Sequence, residues 1–206
     1  MKKIITLSIV LIFLSGCATV YLSPDGKRLA NEHNVIAILP PSVVLKSTKG
    51  MEADVVKQQQ KDESKVFQQE IYTYMLNRKT KGQMTINLQD VEETNVILNR
   101  NNLDISNMTT DEICQTLEVD GVLSSQFGLS KPMSGGAAVA LLFLTGFGGS
   151  TNEVTVTMSL KDCSEKSLIW KYDHKYSGGV LSSPAQLVKN LMKDASKKMP
   201  YFKSTY

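Results

Sequence analysis

The chain has 206 residues, 42% of them hydrophobic and 21% charged, with a formal net charge of +3. That near balance excludes an electrostatic platform for nucleic acid, which needs clustered basic surface. Two histidines and three cysteines leave little material for metal or acid–base chemistry.

The first seventeen residues carry an address. Met1-Lys2-Lys3 is a short cationic start, residues 4–14 are apolar except for Thr6 and Ser8, and Leu14-Ser15-Gly16-Cys17 follows at once. A bilayer span needs about 20 apolar residues, so this run is a secretory signal rather than a membrane helix. The tetrapeptide resembles the lipobox of bacterial lipoproteins. That resemblance implies cleavage after residue 16, diacylation of the Cys17 sulfur, acylation of its nitrogen and a membrane partner held through lipid. Two or three acyl chains anchor durably where one binds reversibly. Ala18 follows Cys17, where an Asp would be the inner-membrane retention signal of enteric bacteria, so the outer membrane, on its periplasmic face, is expected. Removing 16 of 206 residues leaves 190, enough for one domain, and losing Lys2 and Lys3 lowers the charge from +3 to +1.

Residues 17–34 are mostly polar, with Pro24-Asp25-Gly26 as a turn signal, and read as a lipidated tether ahead of an α/β domain over 35–206. Val35-Ile36-Ala37-Ile38-Leu39, ended by Pro40-Pro41, suits a central strand buried on both faces. Residues 51–79 lack Pro and Gly and predict a helix, its Gln58-Gln59-Gln60 run a solvated face or else a partner surface and its Phe67, Ile71 and Met75 on a sheet. A short strand at 84–88 completes a strand, helix, strand unit. Thr109 and Glu112 have capping-box spacing, so a helix should run to about Leu117.

Alternation then dominates. Residues 121–130 form a strand with Leu123, Ser125, Phe127 and Leu129 on one face. Residues 153–161 alternate cleanly, 162–167 turn the chain, and Leu168, Trp170, Tyr172 and Tyr176 continue the inward set on an antiparallel partner. Ser183, Pro184 and Gln186 open a last helix, striped by Leu187, Leu191, Ala195 and Met199. Its Lys189, Lys193 and Lys197 read as a solvated face or a lipid-binding patch. These elements predict one α/β layer domain, a mixed sheet of about five strands with helices packed on it.

Residues 134–149 differ from the rest: 137–147 are almost wholly apolar and flanked by glycines. Eleven helical residues reach only about 16 Å, too short to span. The run is either buried in the core or an exposed contact loop in which Val139, Leu141, Leu142, Phe143, Leu144 and Phe147 meet a partner, a second copy or the bilayer. Cys114, in a predicted helix, and Cys163, in a turn, are either one disulfide or two buried thiols. His33 and His174 have no paired metal-ligand spacing, and Asp173 and His174 point to opposite faces of a strand. Neither catalysis, nor a metal, nor a cofactor is expected.

Val35-Ile36-Ala37-Ile38-Leu39-Pro40-Pro41, Val119-Asp120-Gly121-Val122-Leu123, Glu153-Val154-Thr155-Val156-Thr157-Met158 and Leu168-Ile169-Trp170-Lys171-Tyr172 resemble stretches of a group of bacterial lipoproteins with a domain of unknown function. The opening strand ending in Leu-Pro is also similar to a wider group that includes CsgG, LpoB and the amino-terminal domain of TolB. The resemblance implies a small α/β domain that binds envelope proteins, in some members as rings of identical copies. Long amphipathic segments for spanning hairpins are missing here, so pore formation is not expected. A binding or assembly module of an envelope complex is the expected role, or else a subunit of an oligomeric secretion or transport-associated complex touching the bilayer through 137–147.

Overall fold

Alternating sequence becomes ladder. The computed structural model describes residues 18–46, 51–100, 103–130, 153–177 and 183–203. Along these the chain runs β1 (Thr19–Leu22), α1 (Gly26–Glu32), β2 (Val35–Ile38), β3 (Ser42–Leu45), α2 (Ala53–Thr80), β4 (Asn87–Leu88), α3 (Val91–Arg100), a 3-10 turn (Ile105–Asn107), α4 (Thr110–Leu117), β5 (Gly121–Leu129), β6 (Glu153–Asp162), β7 (Leu168–Ser177) and α5 (Pro184–Ala195). The strands form one mixed sheet in the order β1-β7-β6-β5-β2-β4. β5, β6 and β7 are an antiparallel meander, and β2 and β4 run parallel to each other.

The mixed sheet expected from the sequence is present, with seven strands among the described residues where about five were expected. One addition comes from Pro40 and Pro41. β2 and β3 lie end to end along the same edge of β5, with Ile36 opposite Gly121 and Leu45 opposite Leu129. Leu39 still donates to the Leu123 carbonyl at 2.9 Å. The two prolines have no N–H to give, so the ladder skips there and resumes as β3.

The other addition overturns the expected tether. Residues 19–22 pair antiparallel with β7, Thr19 opposite Asp173 and Leu22 opposite Trp170. α1 follows and buries Leu29 and Ala30, at 2% and 5% exposure. The segment is polar on average, but Val20, Leu22, Leu29 and Ala30 are spaced to reach the core once strand and helix form, which composition alone conceals. Gly26 permits the approach, since a Cβ there would stand 2.8 Å from the Ile169 carbonyl oxygen.

One face of the sheet packs on α2 and α5: Phe67, Ile71 and Met75 of the first and Leu187, Leu191 and Ala195 of the second meet Ile38, Phe127, Met158, Leu160 and Trp170. Phe67 stacks on Phe127 at 4.2 Å between ring centroids. α2 is more deeply seated than its polar first half predicts, because Gln59 and Glu63 are buried and Gln59 donates to Glu63 at 3.2 Å. On the opposite face α3 and α4 lay Leu98, Ile113 and Leu117 against Ala37 and Val122. α3 was not foreseen; Asp90 starts it by accepting from Glu92 N–H at 2.8 Å. The capping box of α4 and the Ser183 cap of α5 are formed.

The strand directions give the sheet two distinct ends. Leu45, Leu129, Glu153 and Ser177 mark the upper end. Val35, Gly121, Asp162 and Leu168 mark the lower one.

Candidate functional site: the two ends of the sheet

Only Ala18 separates Cys17 from β1, whose first residue, Thr19, pairs with Asp173 partway along β7. Cys17 itself and the contact-loop residues Val139, Leu141, Leu142, Phe143, Leu144 and Phe147 lie outside the described residues. Their described neighbours nevertheless fix where the chain leaves and returns. Ser130 N–H donates to the Glu153 carbonyl at 3.0 Å, and Glu153 N–H donates to Ser130 Oγ at 3.1 Å. Residues 131–152 therefore begin and finish at one point on the upper edge, the end toward which β1 leads back to Cys17. Glu153 is gripped there by Lys46 Nζ at 2.7 Å and Lys175 Nζ at 2.8 Å. Hydrogen bonds from Lys175 and then Lys46 hold its carboxyl down at about 2.

Along the inner face of β7 runs a row of rings, Trp170, Tyr172, His174 and Tyr176, with the last two centroids 3.9 Å apart. Burial pushes the His174 pKa down against the opposing charge of Asp194, which keeps the imidazole neutral. Its sequence neighbour Asp173 sits on the other face, accepting from Thr157 at 2.7 Å and pairing with Lys171. The two do not form an acid–base pair.

The lower end holds a polar network absent from the sequence expectations. His33, placed in the tether by its position in the chain, is buried between α1 and β2 and joins two distant residues. Its Nδ1 meets Tyr201 OH at 2.5 Å and its Nε2 meets Asp162 Oδ1 at 2.7 Å, with the His33 and Asp162 side chains 3% and 2% exposed. Burial alone would raise the Asp162 carboxyl, but hydrogen bonds from His33, Glu165 N–H and Ser164 outweigh it and hold the group below the usual range. Burial pushes the Tyr201 phenol well up, with Asp162 and Asp120 adding to the effect, so it keeps its proton. The assignment that satisfies all three groups has Nε2–H donating to the carboxylate and the phenol donating to Nδ1. Both ring nitrogens are then occupied. The imidazole fastens the chain and has no free nitrogen for a substrate.

Beside this network Cys114 and Cys163 are joined in a disulfide, with Cα atoms 5.7 Å apart. It ties α4 to the β6–β7 turn. A cavity of about 430 Å³ lies against it, lined by Glu32, Asp111 and Asp120. Each of those carboxylates is committed elsewhere: Glu32 to Arg28, Asp111 to Lys166, and Asp120 to the Asn34 and Val35 N–H groups. Among the described residues no group of His, Cys, Asp and Glu is placed to hold a metal ion, and no helix is long and apolar enough to cross a membrane. No local signal could have revealed the His33 network, because its contacts join residues 129 and 168 positions apart.

The domain is thus a mixed α/β layer in which Ser130 and Glu153 meet at one end and a cross-linked polar knot lies at the other. No family model and no curated protein matches the chain. Solved structures similar to it include the lipoprotein GNA1162 of Neisseria meningitidis, 13% identical over 81% of this chain and 97% of that one, with a TM-score of 0.45. A PelC dodecamer from Paraburkholderia phytofirmans is 12% identical over 91% and 99%, TM-score 0.42. The LpoB C-terminal domain from Salmonella enterica is 11% identical over 69% and 82%, TM-score 0.38. These likenesses concern the fold alone.

Proposed function

We propose that this chain is a lipid-anchored protein of the bacterial envelope that works as a binding or assembly module held close against its membrane. The lipobox-like Leu14-Ser15-Gly16-Cys17 motivates the anchor, and Ala18 after it favours the outer membrane. The observation that carries the reading is the start of β1 at Thr19. A tether over 17–34 would extend about 60 Å at about 3.4 Å per residue, whereas one intervening residue spans only a few ångströms. A protein built this way meets its partners at the bilayer surface. Chemistry on a substrate is not part of the proposal: Tyr201 and Asp162 occupy both ring nitrogens of His33.

The return of residues 131–152 to that same end favours a second reading, in which 137–147 touches the bilayer or a neighbouring copy within an oligomeric envelope complex. Fractionation tests the first reading. Wild-type protein should sediment with outer membranes and take up labelled fatty acid, and Cys17→Ala should do neither. A wild type found in the soluble fraction, or a lipid-labelled mutant, overturns the anchor. Crosslinking of the tagged protein in intact envelopes then identifies what it binds.

A further inference from the structure

α2 and α5 both run from the upper end to the lower, and their last turns converge there with the segment that follows α5. Between them lies a cleft of about 330 Å³ lined by Arg78, Gln83, Lys193, Ser196, Lys197 and Lys203, with Phe202 as an apolar wall. Four cations face one concavity, and among the described residues no carboxylate lines it. Only Lys197 is paired, to Asp194 at 2.8 Å. Among the described residues no carboxylate pairs with Arg78, Lys193 or Lys203.

Arg78 distinguishes this cleft from a scatter of surface lysines. Its guanidinium is half-buried and held by neutral acceptors: Nε and Nη2 donate to Tyr74 OH at 3.1 and 2.8 Å, and Nη1 donates to Gln83 Oε1 at 2.8 Å. It also lies 5.0 Å from the Tyr74 ring centroid. A guanidinium has five N–H donors, so the fork is fixed in direction with donors to spare and its charge is not neutralised. Ser196 adds a hydroxyl from a residue only 9% exposed. Cations near helix C-termini do offset the helix dipole. That accounts for one charge at each helix end, not for a guanidinium oriented by a phenol and an amide in a hollow shared with three lysines.

We infer that this cleft is a binding site for an oxyanion, a carboxylate or a phosphate group, with Arg78 as the oriented fork and Lys193 and Lys203 closing on the charge. Planar bidentate recognition by Arg, with Lys as point charges, is the arrangement such groups select. The site is about one sheet length from the upper end, roughly 30 Å for the ten residues of β6. On the anchor reading proposed above, β1 leads back toward Cys17 in the direction away from this cleft, so the ligand arrives from the side facing away from the anchor. Anion binding itself does not depend on that reading.

The test uses the full chain in detergent at constant ionic strength. Inorganic phosphate and a short glutamate-rich peptide are titrated separately while amide chemical shifts are followed. At least one probe should bind saturably and shift amides of Arg78, Ser196 and Lys203. Charge reversal at the exposed Lys193 and Lys203, K193E with K203E, should weaken binding at least tenfold with the melting temperature unchanged, and Arg78→Lys should weaken it several-fold by removing the fork. Saturation by phosphate alone assigns a phosphate ester, and by the peptide alone a carboxylate group. Failure of both probes to saturate, or wild-type affinity in the charge-reversed protein, overturns the site. Neither result bears on membrane fractionation.

Discussion

Gly121 lies directly under the imidazole of His33. A Cβ at that position would stand 2.9 Å from Cε1 and 3.0 Å from Nδ1 of the ring, and 3.1 Å from the Lys161 carbonyl oxygen. The first residue of β5 is thus the floor on which the histidine is set between Tyr201 and Asp162. Gly121→Ala should displace the ring and break those hydrogen bonds, lowering stability by about 1–3 kcal/mol. Denaturant unfolding measures this, and an unchanged midpoint would show that the ring has room to move.

The Cys114–Cys163 bond closes a loop of 49 residues between α4 and the β6–β7 turn. Restricting the unfolded chain to that extent is worth about 2–4 kcal/mol. Melting with and without reductant should therefore differ by many degrees, whereas the Cys114→Ser/Cys163→Ser double mutant should melt alike in both.

Acid should loosen the lower end. The Asp162 carboxyl is held below its ordinary value of 3.8 in the folded protein. Its contribution is present above that value and is lost as pH falls through the folded-state one, because the unfolded chain takes up the proton first. Asp162→Asn should cost about 1–3 kcal/mol at neutral pH, since the amide presents a donor where the carboxylate accepts. The gap between mutant and wild type should narrow below about pH 4. A gap that stays constant down to pH 2 would mean that the charge contributes nothing.

Glu118 ends α4 in the left-handed region, at φ 53° and ψ 48°. Glycine takes that conformation without the Cβ penalty, so Glu118→Gly should raise stability by roughly 1 kcal/mol. A lower melting temperature would point to a role for the glutamate side chain that outweighs the strain.

Within the apolar run, Leu142→Asp separates core from contact. If 137–147 meets bilayer or partner, the substitution should leave stability within about 0.5 kcal/mol of wild type and reduce membrane or partner crosslinking. Unfolding of the variant would place the run in the core instead.

The elements legible in the sequence are those whose information is local. The β6–β7 hairpin is written in ten-residue alternation, α4 in Thr109 and Glu112, and α5 in Ser183, Pro184 and a stripe of apolar residues. β1 is only four residues long and has no meaning until β7 lies beside it. α3 is short, and its buried side includes a threonine, Thr94, that hides the apolar stripe. The cleft at Arg78 was out of reach for the same reason: Lys193 and Lys203 are brought to it from the other end of the chain. Lys193 and Lys197 could be seen as a charged helix face, but not that they would look across at α2.

The pairing of Thr19 with Asp173 joins positions about 150 residues apart. Such a contact costs the entropy of closing most of the chain, so β1 docks late, after β7 has been laid against β6. During synthesis the amino terminus emerges first and its strand waits for almost the whole polypeptide. Thr19 thereby belongs to the last piece of the sheet to close, and a chain truncated before β7 would leave that strand without its edge.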